Sequence, residues 1–269
     1  MQEIIRTTIN IGLEKPVKLL HITDVHITKY ADDDPDFQKE LLDRRVETFR
    51  KEGNYPPLTP EEYFVEAFEL AEKEGALPVV TGDVVDIHTK GNVEYFLNLI
   101  RDKTLLFTPG GHEYQQICKR TMEEGPEYVA GVKAELKEQY SQFDLDFESH
   151  IIGGVNIVLA NNSLDYYNAY TVERFEKELE KGLPIIVFSH NPINDSMMGL
   201  TESYNANVAL TKEDYEISNR MLKALWQDER VVATVAGHLH KSEEFEAFGK
   251  KHYTTDGLFK GICRLIEIV

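Results

Sequence analysis

Five short segments place carboxylates and imidazoles where they could share metal ions: Asp24-Val25-His26, Gly82-Asp83, Gly110-Gly111-His112-Glu113, Ser189-His190-Asn191-Pro192 and Gly237-His238-Leu239-His240. Five of the nine histidines fall within them, each just after a run that reads as a buried strand. No single segment carries enough donors to enclose an ion. A fold that gathers all five could hold two ions side by side and face them to a phosphate. Asp24 and His26 are two residues apart, and side chains leaving a strand repeat every second residue, so both can point the same way. The same period applies to His238 and His240, although a loop there could aim them at different ions. Gly82 lets the backbone turn closely around Asp83.

Mixed oxygen and nitrogen donors suit Mn, Fe or Zn better than Ca or Mg. Two such ions about 3.5 to 4 Å apart can bind the attacking and the non-bridging oxygens of a phosphate, and their bound water becomes a nucleophile near neutral pH. His112 then fits a general acid for the leaving group, with Glu113 orienting its ring. Taken singly, each segment is compatible with an ordinary strand-to-loop turn. Their joint order carries the reading. His21, inside an apolar strand, reads as a core histidine, and His88, His150 and His252 have no patterned partners.

The elements that must position these groups alternate along the chain. Residues 4–11 and 17–22 read as strands around a turn at Glu14-Lys15-Pro16. Residues 31–60 turn polar, with Asp32-Asp33-Asp34-Pro35-Asp36 and Tyr55-Pro56-Pro57, and suggest a surface excursion that forms a rim or lid. Thr59-Pro60-Glu61-Glu62 combines an N-cap, a first-turn proline and a capping-box glutamate, predicting a helix to about Gly75. Residues 77–81 and 104–108 read as strands around a helix holding Val93, Phe96 and Ile100. Gly153-Gly154 turns a hairpin, residues 171–181 read as helix and 184–188 as strand, Thr211 with Asp214 opens another helix, and 231–236 is the strand before the last motif. The tail, 244–269, reads as antiparallel strands. A strand-helix-strand rhythm with chemistry at the strand ends gives a mixed α/β fold on two packed sheets, in one domain over 1–269.

Composition narrows the function classes. The formal net charge of −18 opposes binding to a long nucleic-acid backbone. It does not exclude small phosphate substrates, because divalent metals reverse the local field. No apolar run approaches the roughly 20 residues of a membrane helix. Residues 1–18 lack the apolar core of a secretory signal, and Cys118 and Cys263 form neither a disulfide framework nor a paired-cysteine zinc motif. A cytoplasmic protein is expected.

The ordered set resembles the calcineurin-like metallophosphoesterase superfamily, whose pattern of Asp-x-His, Gly-Asp, Gly-Asn-His-Glu/Asp, a lone His and Gly-His-x-His is matched from Asp24 to His240. The resemblance implies a two-sheet sandwich flanked by helices, four layers in all, around a dinuclear centre. By motif position Asp24, His26, Asp83 and His240 would hold the first ion; Asp83 would bridge to a second that His190 and His238 also ligate. His112 would assist the leaving group. The departure is Gly111, where the family has an asparagine that ligates the second ion and contacts phosphate. Asn161 and Asn162 are polar candidates to compensate.

Two expectations follow. One is a metal-dependent hydrolase of phosphate mono- or diesters acting on a small substrate through a metal-bound hydroxide, with the second site weakened by Gly111. The other, motivated by Gly111, is a catalytically impaired binding or scaffolding protein of the same fold. Specificity is expected in residues 31–60, 164–170 and 197–207.

Overall fold

The computed structural model describes residues 1–115, 125–193 and 210–269. The sequence-predicted loop at 197–207 and Cys118 lie outside the described residues. One sheet holds β1 (Glu3–Ile9), β2 (Val17–Ile22), β3 (Leu77–Thr81), β4 (Leu106–Thr108) and β11 (Ile262–Ile268) in the order β1-β11-β2-β3-β4. The other holds β5 (Phe147–Ile152), β6 (Val155–Ala160), β7 (Ile185–Phe188), β8 (Val231–Ala236), β9 (Glu243–Ala247) and β10 (Lys250–Thr254) in the order β5-β6-β7-β8-β10-β9.

Strands that read as unbroken apolar runs are buried on both faces, as a sheet covered on both sides requires. In β2, Leu19 joins Val79 and Ile266 against Ile157, Ile186 and Val235 of the other sheet, forming the core between the layers. Its neighbour Leu20 points the opposite way, among Phe64, Phe96 and Leu136. Those three come from α2 (Pro60–Glu74), α3 (Lys90–Ile100) and α4 (Pro126–Gln139), which cover the first sheet. On the far side α5 (Ala169–Glu180) and α6 (Lys212–Gln227) set Phe175 and Leu225 against Val158 and Val187. The result is helix, sheet, sheet, helix.

Local signals fixed several boundaries. Thr59 and Glu62 form the reciprocal capping box of α2, Pro60 opens it, and Gly75 ends it with φ 63°. Thr211 and Asp214 repeat the device at α6. β5 and β6 pair antiparallel through Gly153-Gly154.

Two expectations are corrected. The polar stretch 31–60 is not merely an excursion: it contains α1 (Asp36–Glu52), a five-turn helix that buries Leu42 and Phe49. Pro35 supplies no side-chain cap, and the helical spacing of Leu42, Val46 and Phe49 is set among charged residues between two proline-rich turns, which read as an excursion. The tail is not a run of antiparallel strands. β9 and β10 pair that way, but β10 lies parallel to β8, and β11 crosses to the other sheet, parallel to β1 and antiparallel to β2. Those partners are remote in sequence, and periodicity carries no information about them.

In the first sheet β2, β3 and β4 run parallel; in the second β6, β7 and β8 do. The loops that leave their C-terminal ends therefore emerge along one edge of the sandwich, and the five segments are among those loops.

Candidate metal centre

The backbone at these strand ends is unusual. Among the described residues nine non-glycine residues have positive φ, and five of them are Asp24 (50°), His26 (55°), Asp83 (49°), His238 (69°) and His240 (48°). Left-handed backbone costs such residues on the order of 1 kcal/mol or more each and persists where the surroundings over-determine it. The strand-period argument for Asp24 and His26 thus has the wrong geometry, and for His238 and His240 the loop alternative holds: left-handed turns, not continued strands, aim these side chains. Glycine makes room for them. A Cβ at Gly110 would lie 2.2 Å from Asp83 Oδ1, and one at Gly237 would lie 2.4 Å from Asp24 Oδ2.

The six sequence-predicted ligands gather into two groups, each with donor atoms within 4.8 Å of one another. In the first, His26 Nε2 is 3.2 Å from His240 Nε2, and Asp24 Oδ1 is 3.3 Å from His240 Nε2 and 3.9 Å from His26 Nε2. In the second, Asp83 Oδ2 is 3.2 Å from His190 Nε2, and the rings of His190 and His238 are 5.1 Å apart. His238 and His240 serve different groups. His238 is exposed, so the second group opens to solvent.

Five of the six donors are turned by a polar contact at the other end. Asp24 Oδ2 accepts from the His238 amide at 2.9 Å and the Thr23 hydroxyl at 2.7 Å, and Asp83 Oδ1 accepts from the His112 amide at 2.9 Å. The opposite oxygens face the groups. His190 Nδ1 donates to the Thr81 carbonyl at 2.7 Å, His26 Nδ1 meets Asp86 Oδ1 at 3.2 Å and His240 Nδ1 meets Glu52 Oε1 at 2.7 Å. Binding the Nδ1 proton elsewhere leaves Nε2 to act as the donor atom toward a metal. Asp24 Oδ1 and His190 Nε2 are sealed from solvent and make no hydrogen bond. Buried carboxylates and imidazoles converging in this way fit two transition-metal ions.

Asp86, which the sequence reading missed, organises a third group with His26 and His112. Its carboxylate is taken by Arg45 at 2.8 and 2.9 Å and lies 3.3 Å from His112 Nδ1, while its carbonyl accepts from the same nitrogen at 2.5 Å. With its oxygens so engaged, this group is an anchor for two rings rather than a third ion site. The signal was its place three residues after Asp83.

Glu113 does not orient His112, contrary to the sequence reading. It is fully buried, and its carboxylate accepts from the amides of Asp83 (2.9 Å), Val84 (2.7 Å), Val85 (3.2 Å) and Gly110 (2.6 Å). It braces the loop after β3 against the loop after β4. Asp86 takes the orienting part. His112 stays partly open, with Nε2 4.0 Å from Asp83 Oδ2.

Gly111 has no steric reason to be glycine. Its φ is −68°, and an added Cβ would meet only Ser163 O at 3.6 Å and Gln115 Nε2 at 3.8 Å. Asn161 and Asn162 are already engaged. Asn161 donates to Tyr114 and the Leu145 carbonyl and accepts from Ser163; Asn162 donates to Tyr167 and the Asn191 carbonyl and accepts from the Asn191 amide.

The electrostatics favour positive charge here. Burial opposes ionisation of Asp83 and Asp86, yet the surrounding histidines hold both well below the usual carboxylate range. Burial would lower His190, but Asp83 and Asp24 outweigh it and push it up to about 9. His240 is likewise raised, against its own burial, by Asp24 and Glu52. His26 is lowered, chiefly by burial. His21 is a core histidine as expected, bonded to Thr255 and Thr81 and lowered to about 3 by burial.

The sequence matches the family described as calcineurin-like phosphoesterase over residues 17–242. No curated protein matches it. Among solved structures it is similar to a dimetal phosphatase from Danio rerio, with TM-score 0.50 and 15% identity over 91% of this chain and 88% of that chain. It also aligns with a phosphopantetheinyl hydrolase from Mycobacterium tuberculosis, with TM-score 0.45 and 14% identity over 90% of each chain. The first likeness is one of fold. The family match encloses every residue of both donor groups, and the chain belongs to the calcineurin-like phosphoesterase family.

Proposed function

We propose that the protein hydrolyses small phosphate mono- or diesters with two transition-metal ions, Mn, Fe or Zn, and that Gly111 weakens the second site. The observation that supports this most directly is the pair of donor groups whose buried inward atoms, Asp24 Oδ1 and His190 Nε2, have no hydrogen bond. Asp24, His26 and His240 would hold the first ion, His190 and His238 the second, and Asp83 would bridge. Bound ions would supply Lewis-acid activation of water and neutralise charge on the phosphoryl oxygens. The chain's own part is to hold those donors rigidly and to deliver a proton. His112, with Nδ1 fixed by Asp86 and Nε2 accessible, is placed to protonate the leaving oxygen.

The net charge of −18 supports a small substrate over a long nucleic acid. Among the described residues no helix is long and apolar enough to cross a membrane, and the buried free thiol of Cys263 suits a reducing cytoplasm. The scaffolding alternative rests on Gly111 alone. Against it stand the burial of four of the six donors and the left-handed backbone of five, an arrangement with no structural benefit once metal binding is lost.

The deciding experiment loads the purified protein with Mn, Fe or Zn in turn and assays an aryl phosphate and a bis-aryl phosphate. Turnover of either, abolished by Asp83→Asn, is expected. No hydrolysis with any metal would overturn the enzymatic reading in favour of the scaffold.

A further inference from the structure

Along α1, Arg45, Phe49 and Glu52 follow at the i, i+4, i+7 spacing of one helical face, and all three reach the metal centre. Arg45 grips Asp86 through two nitrogens. Phe49 stacks on His26, with ring centroids 4.3 Å apart and planes at 25°. Glu52 Oε1 lies 2.7 Å from His240 Nδ1. Lys260 closes the arrangement, 3.7 Å from Glu52 Oε1 and donating at 2.9 Å to the His240 carbonyl.

Glu52 is badly placed for the helix itself. It is the last residue of α1, where the macrodipole is negative and where Arg50 and Lys51 are the favourable neighbours. A carboxylate at that end costs the helix stability. What it gains is the imidazole of His240, a group that comes from the other sheet and stands among the first-ion donors.

We propose that Glu52 is a positioning residue for the first ion, which makes assembly of that site depend on α1. This rests on the reading of the centre as a metal site. The Glu52 carboxylate accepts the Nδ1 proton of His240, so the Nε2 lone pair faces Asp24 and His26 and becomes a stronger donor. Arg45 acts in parallel through Asp86 on the His26 ring. The polar stretch 31–60 thereby becomes the outer support of the first-ion site rather than only its rim.

The test is metal titration, independent of turnover. Native protein, Glu52→Ala, Glu52→Gln and a control, Glu47→Ala on the exposed side of α1, are titrated with Mn²⁺ by calorimetry and with Co²⁺ by visible absorption. Glu52→Ala is expected to lose about 10- to 100-fold in affinity at one site, with the other unchanged and an altered Co²⁺ spectrum. Glu52→Gln keeps a carbonyl acceptor and should retain most of the affinity. Glu47→Ala should match native protein. Removing the carboxylate relieves the helix end but also loses its contacts with His240 and Lys260, so the metal-free Glu52→Ala and Glu52→Gln proteins should melt close to each other, and a difference in metal affinity between them separates positioning from folding. If Glu52→Ala binds both ions with native affinity and spectrum, the role of Glu52 is overturned while the metal site stands. If native protein binds neither ion, both fall.

Discussion

Arg45 and Asp86 form a two-pronged ion pair, Nε to Oδ2 at 2.8 Å and Nη2 to Oδ1 at 2.9 Å, that joins a helix of the polar stretch to the loop after β3. The same Asp86 Oδ1 is 3.2 Å from His26 Nδ1 and 3.3 Å from His112 Nδ1. One carboxylate therefore fixes a first-ion donor and the group placed to act as acid. Asp86→Asn keeps the shape but weakens both contacts and leaves Arg45 without its charge. Activity is expected to fall about 10- to 100-fold, chiefly in kcat, with a displaced acid-group limb in the pH profile. An unchanged profile would remove Asp86 from any part in aligning His112.

At Gly111 the surrounding space accepts a Cβ at ordinary contact distance. Gly111→Asn is expected to raise occupancy of the second ion, read by elemental analysis after dialysis, and to raise activity on both ester classes. Equal metal content and activity in the two proteins would show that this position does not limit the second site.

Neighbours His112 and Glu113 should give opposite signatures. His112→Ala is expected to abolish most activity with metal content and melting temperature near native, because the ring is partly open and Asp86 keeps Arg45 and His26 when it is removed. Glu113→Ala strands four buried amides and should cost more than about 2 kcal/mol in denaturant unfolding. If Glu113→Ala were as stable as native protein, the brace between the two loops would be wrong.

Metal uptake should depend on pH through His190. In metal-free protein it stays protonated up to about 9, above its ordinary 6.5. An ion on Nε2 must displace that proton, so affinity for the second ion should climb with pH, by up to about tenfold per unit, and level off near 9. The same shift stabilises the metal-free fold fully below about 6.5, and that contribution disappears as pH rises through about 9. Metal-free protein should therefore melt lower at pH 9.5 than at pH 6, with the stabilisation by added metal greatest at the higher pH. Calorimetry in buffers of differing ionisation enthalpy checks the proton release; none at pH 7 would contradict it.

The sequence by itself determined the donor types and the edges they sit on. Short apolar runs such as 17–22 and 77–81, bounded by turn residues, read as doubly buried strands, a Thr-Pro-Glu-Glu cap reads as a helix start, and polar ligands directly after such strands fall at the sheet ends. These are local facts, set by burial and by hydrogen bonds a few residues apart. Tertiary structure alone decided which donor meets which. His240 is 216 residues from Asp24, and its ring is held by Glu52 from a helix in a polar stretch of the chain. Glu113, adjacent to His112, turned away to cap four amides, while Asp86, 26 residues earlier, took the ring. Proximity in sequence favours a partner only where the backbone is regular. At this centre left-handed turns aim the side chains, and chain segments brought together by packing supply their partners.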